Sequence, residues 1–220
     1  MSKLFIVATP IGNLEDFTFR ALRILQEADL VLAEDTRVTQ KLLQHYKIKK
    51  DLIAWHQHSK NFSKIKKYFQ DDKNIVYVSD AGTPGVSDPG GKLIKLALAD
   101  FPDIEIIPIP GTSTVAAILS VAGIPLDKFS FLGFLPHKKG RQTIIGQIKE
   151  SKVPIIFFES VHRIMKTLNQ LSDCDKHLIV GRELTKKFET IYRGTAKEIL
   201  ETLEQNKDQQ KGEFVVVVNK

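Results

Sequence analysis

Ile75-Val76-Tyr77-Val78-Ser79-Asp80-Ala81-Gly82-Thr83-Pro84-Gly85-Val86-Ser87-Asp88-Pro89-Gly90-Gly91 starts as an apolar run and passes directly into a loop dense in turn residues. Four glycines and two prolines fall in the fourteen residues from Val78 to Gly91. Ile75–Ser79 reads as a buried strand and Gly91–Ala99 as a helix, so the loop joins strand to helix. A loop this rich in glycine is costly to order, which favours a ligand role over a plain connection. It offers backbone donors and a helix amino end, which together suit an anionic group such as a carboxylate. It is not a phosphate-binding loop of the Walker type. That pattern requires glycine where Val86 stands and Ser or Thr where Leu93 follows Lys92. No G-x-G-x-x-G occurs in it either.

The same alternation extends in both directions. Strands are predicted at Leu4–Ala8, Leu30–Ala33, Ile104–Ile107, Phe129–Leu132, Ile155–Phe158, His177–Val180 and Phe214–Val218. Helices are predicted at Phe17–Glu27, Thr36–His45, Phe62–Phe69, Ser113–Ala122, Arg141–Lys149, His162–Leu171 and Thr195–Glu204. Strands alternating with helices indicate an α/β protein with mostly parallel pairing. Continuous apolar runs such as Val215–Val218 suit a sheet covered on both faces. Ile107-Pro108-Ile109-Pro110-Gly111 punctuates the middle and divides the chain into two lobes, 1–110 and 111–220.

Polar residues collect just after predicted strands, where open α/β sheets gather their ligands. Thr9-Pro10-Ile11-Gly12-Asn13-Leu14 reads either as a ligand loop or as an ordinary turn with Asp16 or Thr18 capping the next helix. In Pro110-Gly111-Thr112-Ser113-Thr114-Val115, Ser113 could be a helix cap or a ligand contact. Val115 stands where a nucleophile elbow needs its second glycine, so a serine hydrolase is unsupported. Ala33-Glu34-Asp35-Thr36-Arg37 puts charges at a strand end, with capping by Asp35 or Thr36 as the plain alternative. His56 and His58 would share one side of a strand but lack an obvious third metal ligand. His137-Lys138-Lys139-Gly140-Arg141 is a compact basic loop that reads either as a phosphate contact or as an ordinary solvated loop. Glu159-Ser160-Val161-His162-Arg163 and Gly181-Arg182-Glu183-Leu184-Thr185-Lys186-Lys187 follow two further strands. Several such clusters in one chain favour a polar active cleft.

Composition narrows the classes. Residues total 220, with 42% hydrophobic and 26% charged, ordinary for a globular chain. No apolar run approaches the ~20 residues of a membrane span. The start, Met1-Ser2-Lys3-Leu4, reads as the approach to a first strand rather than a signal peptide. Cys174 is the one cysteine, which rules out an internal disulfide and makes the cytoplasm the expected compartment. Thirty-two Lys and Arg against 26 Asp and Glu leave a net charge of +6, which mildly favours polyanionic partners but on its own reads first as a solvated, lysine-rich surface.

Taken together and in order, these loops resemble one family. Thr9–Leu14, Ala33–Arg37, Ser79–Pro84, Ser87–Gly90, Gly133-Phe134-Leu135-Pro136, Glu159–Arg163, Arg182–Lys186 and Gly212-Glu213 are similar to motifs of the tetrapyrrole-methylase superfamily, and within it of the small-subunit ribosomal RNA 2′-O-methyltransferases. The resemblance runs from Leu4 to about Val218. It implies a two-lobed α/β fold with a mostly parallel sheet in each lobe, a cleft between them holding S-adenosylmethionine, and a homodimer. By position, Pro10, Asp80, Gly82, Thr83, Val86, Ser113 and Thr114 would hold the cofactor, and Phe158, Glu159 and Gly212 would close its other side. The implied product is a 2′-O-methylated cytidine in the decoding region of small-subunit rRNA, so the partner is the small ribosomal subunit or its rRNA. The sequence departs from the family in three places. It stops at Lys220 where longer members carry a further segment, Pro110–Thr114 replaces a Gly-Pro-Ser-Ala-like run, and Val38 stands where histidine is common.

The implied chemistry is an in-line displacement at a sulfonium methyl, which needs alignment and a route for one proton but no metal. Asp35, Glu159 and His162 are the acid–base or orienting candidates. Arg37, Lys138, Lys139, Arg141, Arg163 and Lys186 are the candidates for phosphate positioning. A small-molecule methyltransferase acting on a tetrapyrrole would share the cofactor loops but not the basic Lys138–Arg141 loop. A non-enzymatic RNA-binding protein would keep the basic residues but have no use for the Asp80–Gly91 loop.

Overall fold

The computed structural model describes residues 2–59, 61–125 and 127–219. The chain divides into two compact units, Met1–Ser113 and Thr114–Lys220.

The first unit runs β1 (Lys3–Val7), α1 (Phe19–Glu27), β2 (Leu30–Ala33), α2 (Thr36–His45), β3 (Leu52–Ala54), α3 (Phe62–Gln70), β4 (Ile75–Val78), α4 (Gly90–Asp100) and β5 (Glu105–Ile109). Its sheet has the order β3-β2-β4-β1-β5, and every pairing is parallel. Side-chain parity splits β4 between two cores. Ile75 and Tyr77 pack with Leu30, Leu32 and Trp55 on one face, while Val76 and Val78 pack with Val7, Val31 and Ala33 on the other. Burial on both faces is why these strands read as unbroken apolar runs. Because all five strands run one way, the loops that follow them share one carboxyl edge. The expected strand at Ile104–Ile107 starts a residue later and continues through Pro108 to Ile109. That is tolerated because β5 is an edge strand paired only with β1.

The second unit runs α5 (Thr114–Ser120), β6 (Ser130–Phe134), α6 (Arg141–Glu150), β7 (Ile155–Glu159), α7 (Ile164–Leu171), β8 (His177–Arg182), β9 (Thr190–Thr195), α8 (Ala196–Gln205) and β10 (Phe214–Val218). Its order is β6-β7-β10-β8-β9. Here the expected mostly parallel sheet is corrected to a mixed one. β6 and β7 pair in parallel, whereas β7–β10, β10–β8 and β8–β9 are antiparallel. The apolar runs could not show this. Two-sided burial produces them in either direction, and β10 has Phe214, Val216 and Val218 in one core and Val215 and Val217 in the other. β7 and β8 both run against β10, and β6 runs with β7. The ends of β6, β7 and β8 and the start of β10 therefore lie on one edge.

All eight expected helices are present. Thr18 caps α1 through the Ala21 amide, and Asp35 caps α2 through the Arg37 amide. Thr195 and Glu198 form a reciprocal capping box on α8. No helix among the described residues is long and apolar enough to cross a membrane.

Candidate functional site

In the first unit, hydrogen bonds tie three loops of the carboxyl edge into one body. Thr9 N donates to Gly82 O at 2.9 Å, and Gly82 N returns a bond to Thr9 O at 3.0 Å. Thr83 Oγ1 donates to Thr112 O at 2.8 Å, and Thr112 Oγ1 donates to Thr9 O. Pro10 and Gly82 are buried in this junction, Thr83 is half-buried, and Val86 is exposed on the loop after β4. Gly82 has φ +79°, and a Cβ there would stand 3.2 Å from Ile11 Cγ2. Gly111 lies so close that its Cβ would meet Ala8 Cβ at 2.9 Å. Both glycines are thus demanded by close packing inside the junction, where a side chain would crowd Ile11 or Ala8.

The amino end of α4 differs from expectation. Asp88 already serves it, accepting from Gly90 N at 2.7 Å and from Gly85 N at 2.8 Å. An anion gains little from donors that an aspartate occupies, so the anionic-ligand reading does not hold at this end of the loop.

The electrostatics of this edge are acidic. Asp35 N donates to Asp80 Oδ1 at 2.9 Å, and the Glu34 carboxylate lies 3.5 Å from Asp80 N. Burial, then the Asp80 charge, raises the Glu34 carboxyl above its ordinary value. Burial also raises Asp80, with Asp35 adding to it. Asp35 behaves oppositely. Its hydrogen bonds from the Arg37 side chain, then from the Arg37 amide, hold it at about 2. Of the two readings of Asp35, the geometry carries the helix cap and partner of Arg37. Arg37 is highly exposed, but its Nη2 pairs with Asp35 Oδ2 at 2.6 Å. The sequence placed Glu34 in a charged cluster but gave it no role, although the parity of Leu30 and Leu32 places it on their face. Tyr77 was also missed. Its hydroxyl is buried and has no hydrogen-bond partner among the described residues, and burial followed by the charges of Asp88, Glu34 and Asp80 pushes the phenol upward. After β3, His58 N donates to His56 Nδ1 at 3.2 Å. Among the described residues no three His, Cys, Asp or Glu side chains are grouped to hold a metal.

In the second unit, the edge is held by a buried ion network. Glu159, at the end of β7, is 1% exposed. Its Oε2 accepts from Thr167 Oγ1 at 2.7 Å and from Arg141 Nη2 at 3.3 Å. Its Oε1 pairs with Arg163 Nε at 2.9 Å and accepts from Ser160 N at 2.9 Å. Arg141 is itself only 4% exposed and also bonds Gln170 Oε1 and Pro136 O. Two expectations change. Glu159 has both oxygens engaged by cations and donors in the interior, so it is neither a free base nor a surface cofactor contact. Arg141 is buried and occupied, and Arg163 is nearly so, which removes both as direct phosphate contacts.

The remaining candidates lie as follows. His162 is exposed in the turn before α7, and Lys138 and Lys139 are exposed at the tip before α6. Lys186 is matched by Glu183 at 3.0 Å and Glu213 at 2.9 Å. Burial works against its charge, but these bonds outweigh it and raise its ammonium. Phe158 is half-buried against Phe131 and Phe134, with ring centroids 5.1 and 5.4 Å away. Gly212, at φ +111°, is required by packing, since a Cβ there would meet Glu183 Cγ at 2.6 Å. Ser113 is the last residue of the first unit and Thr114 opens α5; both are half-buried.

The two-unit α/β fold, a parallel sheet followed by a mixed one, is similar to that of solved structures. One is a cobalamin-synthesis-related protein from Corynebacterium diphtheriae, with TM-score 0.68 and 13% identity over 100% of this chain and 98% of that one. Another is a cobalt precorrin-4 methyltransferase, with TM-score 0.65 and 21% identity over 98% and 94%. The chain belongs to the tetrapyrrole (corrin/porphyrin) methylases, whose family model matches residues 3–200. Within that family it is 43% identical to the ribosomal RNA small subunit methyltransferase I of Halalkalibacterium halodurans, over 98% of this chain and 75% of the relative. It is 40% identical to the protein of the same name from Thermotoga maritima, over 100% of this chain and 99% of the relative.

Proposed function

We propose that this protein is an S-adenosylmethionine-dependent methyltransferase of small-subunit ribosomal RNA, acting on the 2′-hydroxyl of a cytidine in the decoding region. The observation that carries the reading is 40% identity to a ribosomal RNA methyltransferase along essentially the whole length of both chains. We further propose that it works as a homodimer in the cytoplasm.

We assign the cofactor to the junction of Pro10, Gly82 and Thr83, where three loops of the carboxyl edge are tied together by hydrogen bonds. Asp80 and Val86 on the same loop complete the contacts we assign there. When bound, S-adenosylmethionine supplies an activated methyl group on a good leaving group. The chain has to hold the ribose oxygen in line and give its proton a destination. We assign proton acceptance to His162, which unlike Asp35 and Glu159 is exposed and outside an ion pair. Lys138 and Lys139 are assigned to phosphate contacts, where exposed cations position RNA without reading sequence.

The test is calorimetric binding of S-adenosylmethionine, followed by tritiated-methyl transfer to undermethylated small ribosomal subunits. Binding with transfer to the rRNA is expected. Binding without transfer moves the substrate elsewhere, and absence of binding removes the methyltransferase reading. His162→Ala should lower kcat at least about tenfold while leaving cofactor affinity unchanged. An unchanged kcat removes the histidine from the mechanism.

A further inference from the structure

The buried network of the second unit does more than fill its core, because two of its bonds go to the loop that carries the exposed lysines. Arg163 Nη1 donates to Leu135 O at 2.7 Å, and Arg141 Nη1 donates to Pro136 O at 3.2 Å. Leu135 itself is 2% exposed and packed in the core. On the far side of the tip, Arg141 N donates to Lys138 O at 3.2 Å, and Gly140 takes φ +81° to start α6. Only residues 137–140 lie between these anchors. With both ends fixed over so short a span, the backbone of Lys138 and Lys139 has little freedom left. Glu159 joins the two arginines that do the fixing, through Oε2 to Arg141 and Oε1 to Arg163.

We infer that Arg141 and Arg163 are positioning residues: held by Glu159, they mount the Lys138-Lys139 tip in the shape that grips RNA, without touching RNA themselves. The inference rests on the RNA reading above. Burial supports the second half, since the Arg141 and Arg163 side chains are 4% and 13% exposed. The chemistry supports the first half. Guanidinium is a rigid fork that can bond a carboxylate and a backbone carbonyl at once, which a lysine ammonium does less well. The mount also explains why a buried carboxylate between two arginines stands directly beneath a surface loop.

The test compares four variants by their affinity for small-subunit rRNA across a salt series: K138A/K139A, Arg163→Gln, the three substitutions combined, and an insertion of two glycines between Lys139 and Gly140. The insertion leaves every named side chain in place and only releases the tip, so it guards against Arg163→Gln failing to fold. Each phosphate that the protein no longer neutralises lowers the log–log salt slope by about 0.7–0.9. K138A/K139A should weaken binding and lower the slope by about one to two. Arg163→Gln and the insertion should weaken binding about fivefold to tenfold and lower the slope too, since unmounted lysines no longer register on phosphates. The triple variant should bind no worse than K138A/K139A. S-adenosylmethionine affinity should stay unchanged in all four. A loss of RNA affinity at unchanged slope in Arg163→Gln and the insertion would overturn the mount in favour of a purely structural role. A triple variant clearly weaker than K138A/K139A would overturn it in favour of direct contact by Arg163. Unchanged RNA binding in K138A/K139A would overturn the RNA reading of the loop itself, and the mount with it.

Discussion

In the first unit the loops at the sheet edge are packed through glycines and tied by backbone, threonine and aspartate hydrogen bonds, whereas in the second they are held by a buried ion network. Gly82, Gly111 and the Thr9–Gly82 bridge build one edge, and the charges beside them are the carboxylates of Glu34, Asp80 and Asp88. Glu159, Arg141, Arg163 and Thr167 build the other, and the exposed charges above them are Lys138 and Lys139. The two constructions are vulnerable to different changes. A glycine-packed edge suffers when a Cβ is added, while an ion-network edge suffers when one charge is taken away and its partners stay buried.

Removing the central charge should give the largest effect. Glu159→Ala leaves Arg141 and Arg163 in the interior without their carboxylate, and loss of one partner of a buried pair costs about 3–5 kcal/mol. Urea unfolding would measure it. A loss below about 1 kcal/mol would mean that water enters the network and the contrast between the edges is false. The complementary change on the first edge is Gly82→Ala. A side chain at φ +79° and 3.2 Å from Ile11 should cost about 1–3 kcal/mol. It should also weaken S-adenosylmethionine binding at least about tenfold by calorimetry, equivalent to about 1.4 kcal/mol. Unchanged affinity would separate the glycine from the cofactor.

The smallest effect concerns charge alone. The Glu34 carboxyl is raised in the fold, so between its ordinary and raised values the folded chain binds more protons than the unfolded one. Stability from this group therefore falls as pH rises through that window. Glu34→Gln should stabilise the protein at pH 7, by less than about 1 kcal/mol because the group is partly solvated. The gain should vanish below the ordinary carboxylate value. Asp35 has the opposite sign: its contribution is present above the ordinary value and is lost as pH falls toward about 2. Thermal melts at pH 4 and pH 7 would show whether the acidic edge is under electrostatic tension.

Much of the architecture was readable because burial periodicity is local. Every helix followed from its apolar face, and the strands buried on both faces followed from unbroken runs. The two missed strands, β3 and β9, are edges of their sheets. β3 has three residues, and β9 carries Arg193 and Gly194 on a half-exposed ribbon, so neither has the apolar signature of a central strand. Strand direction in the second unit was invisible for a related reason, since covered strands look alike whichever way they run. At the sites, the motifs located the right loops but could not say which side chains were free. Arg141 and Arg163 read as surface cations until Glu159 was seen between them. Asp35 read equally as a helix cap or an acid–base candidate, and its bonds to Arg37 favour the cap. For Arg141 the occupancy depends on partners distant in the chain, since residues 141, 159 and 167 meet only in three dimensions.

The order β6-β7-β10-β8-β9 has a consequence for how the second unit is made. The strand that joins β7 to β8 is translated after both, and after β9 and α8 as well. Until Phe214–Val218 emerges, β7 and β8 are separated halves with unpaired inner edges and open apolar faces, a state prone to pairing with other chains. The first unit closes its sheet with β5, a peripheral strand, so its centre is complete earlier in synthesis. A nascent chain of this protein therefore carries one finished module and one that stays vulnerable until its keystone arrives, which makes the stretch of synthesis before Phe214 the interval in which a chaperone would matter most.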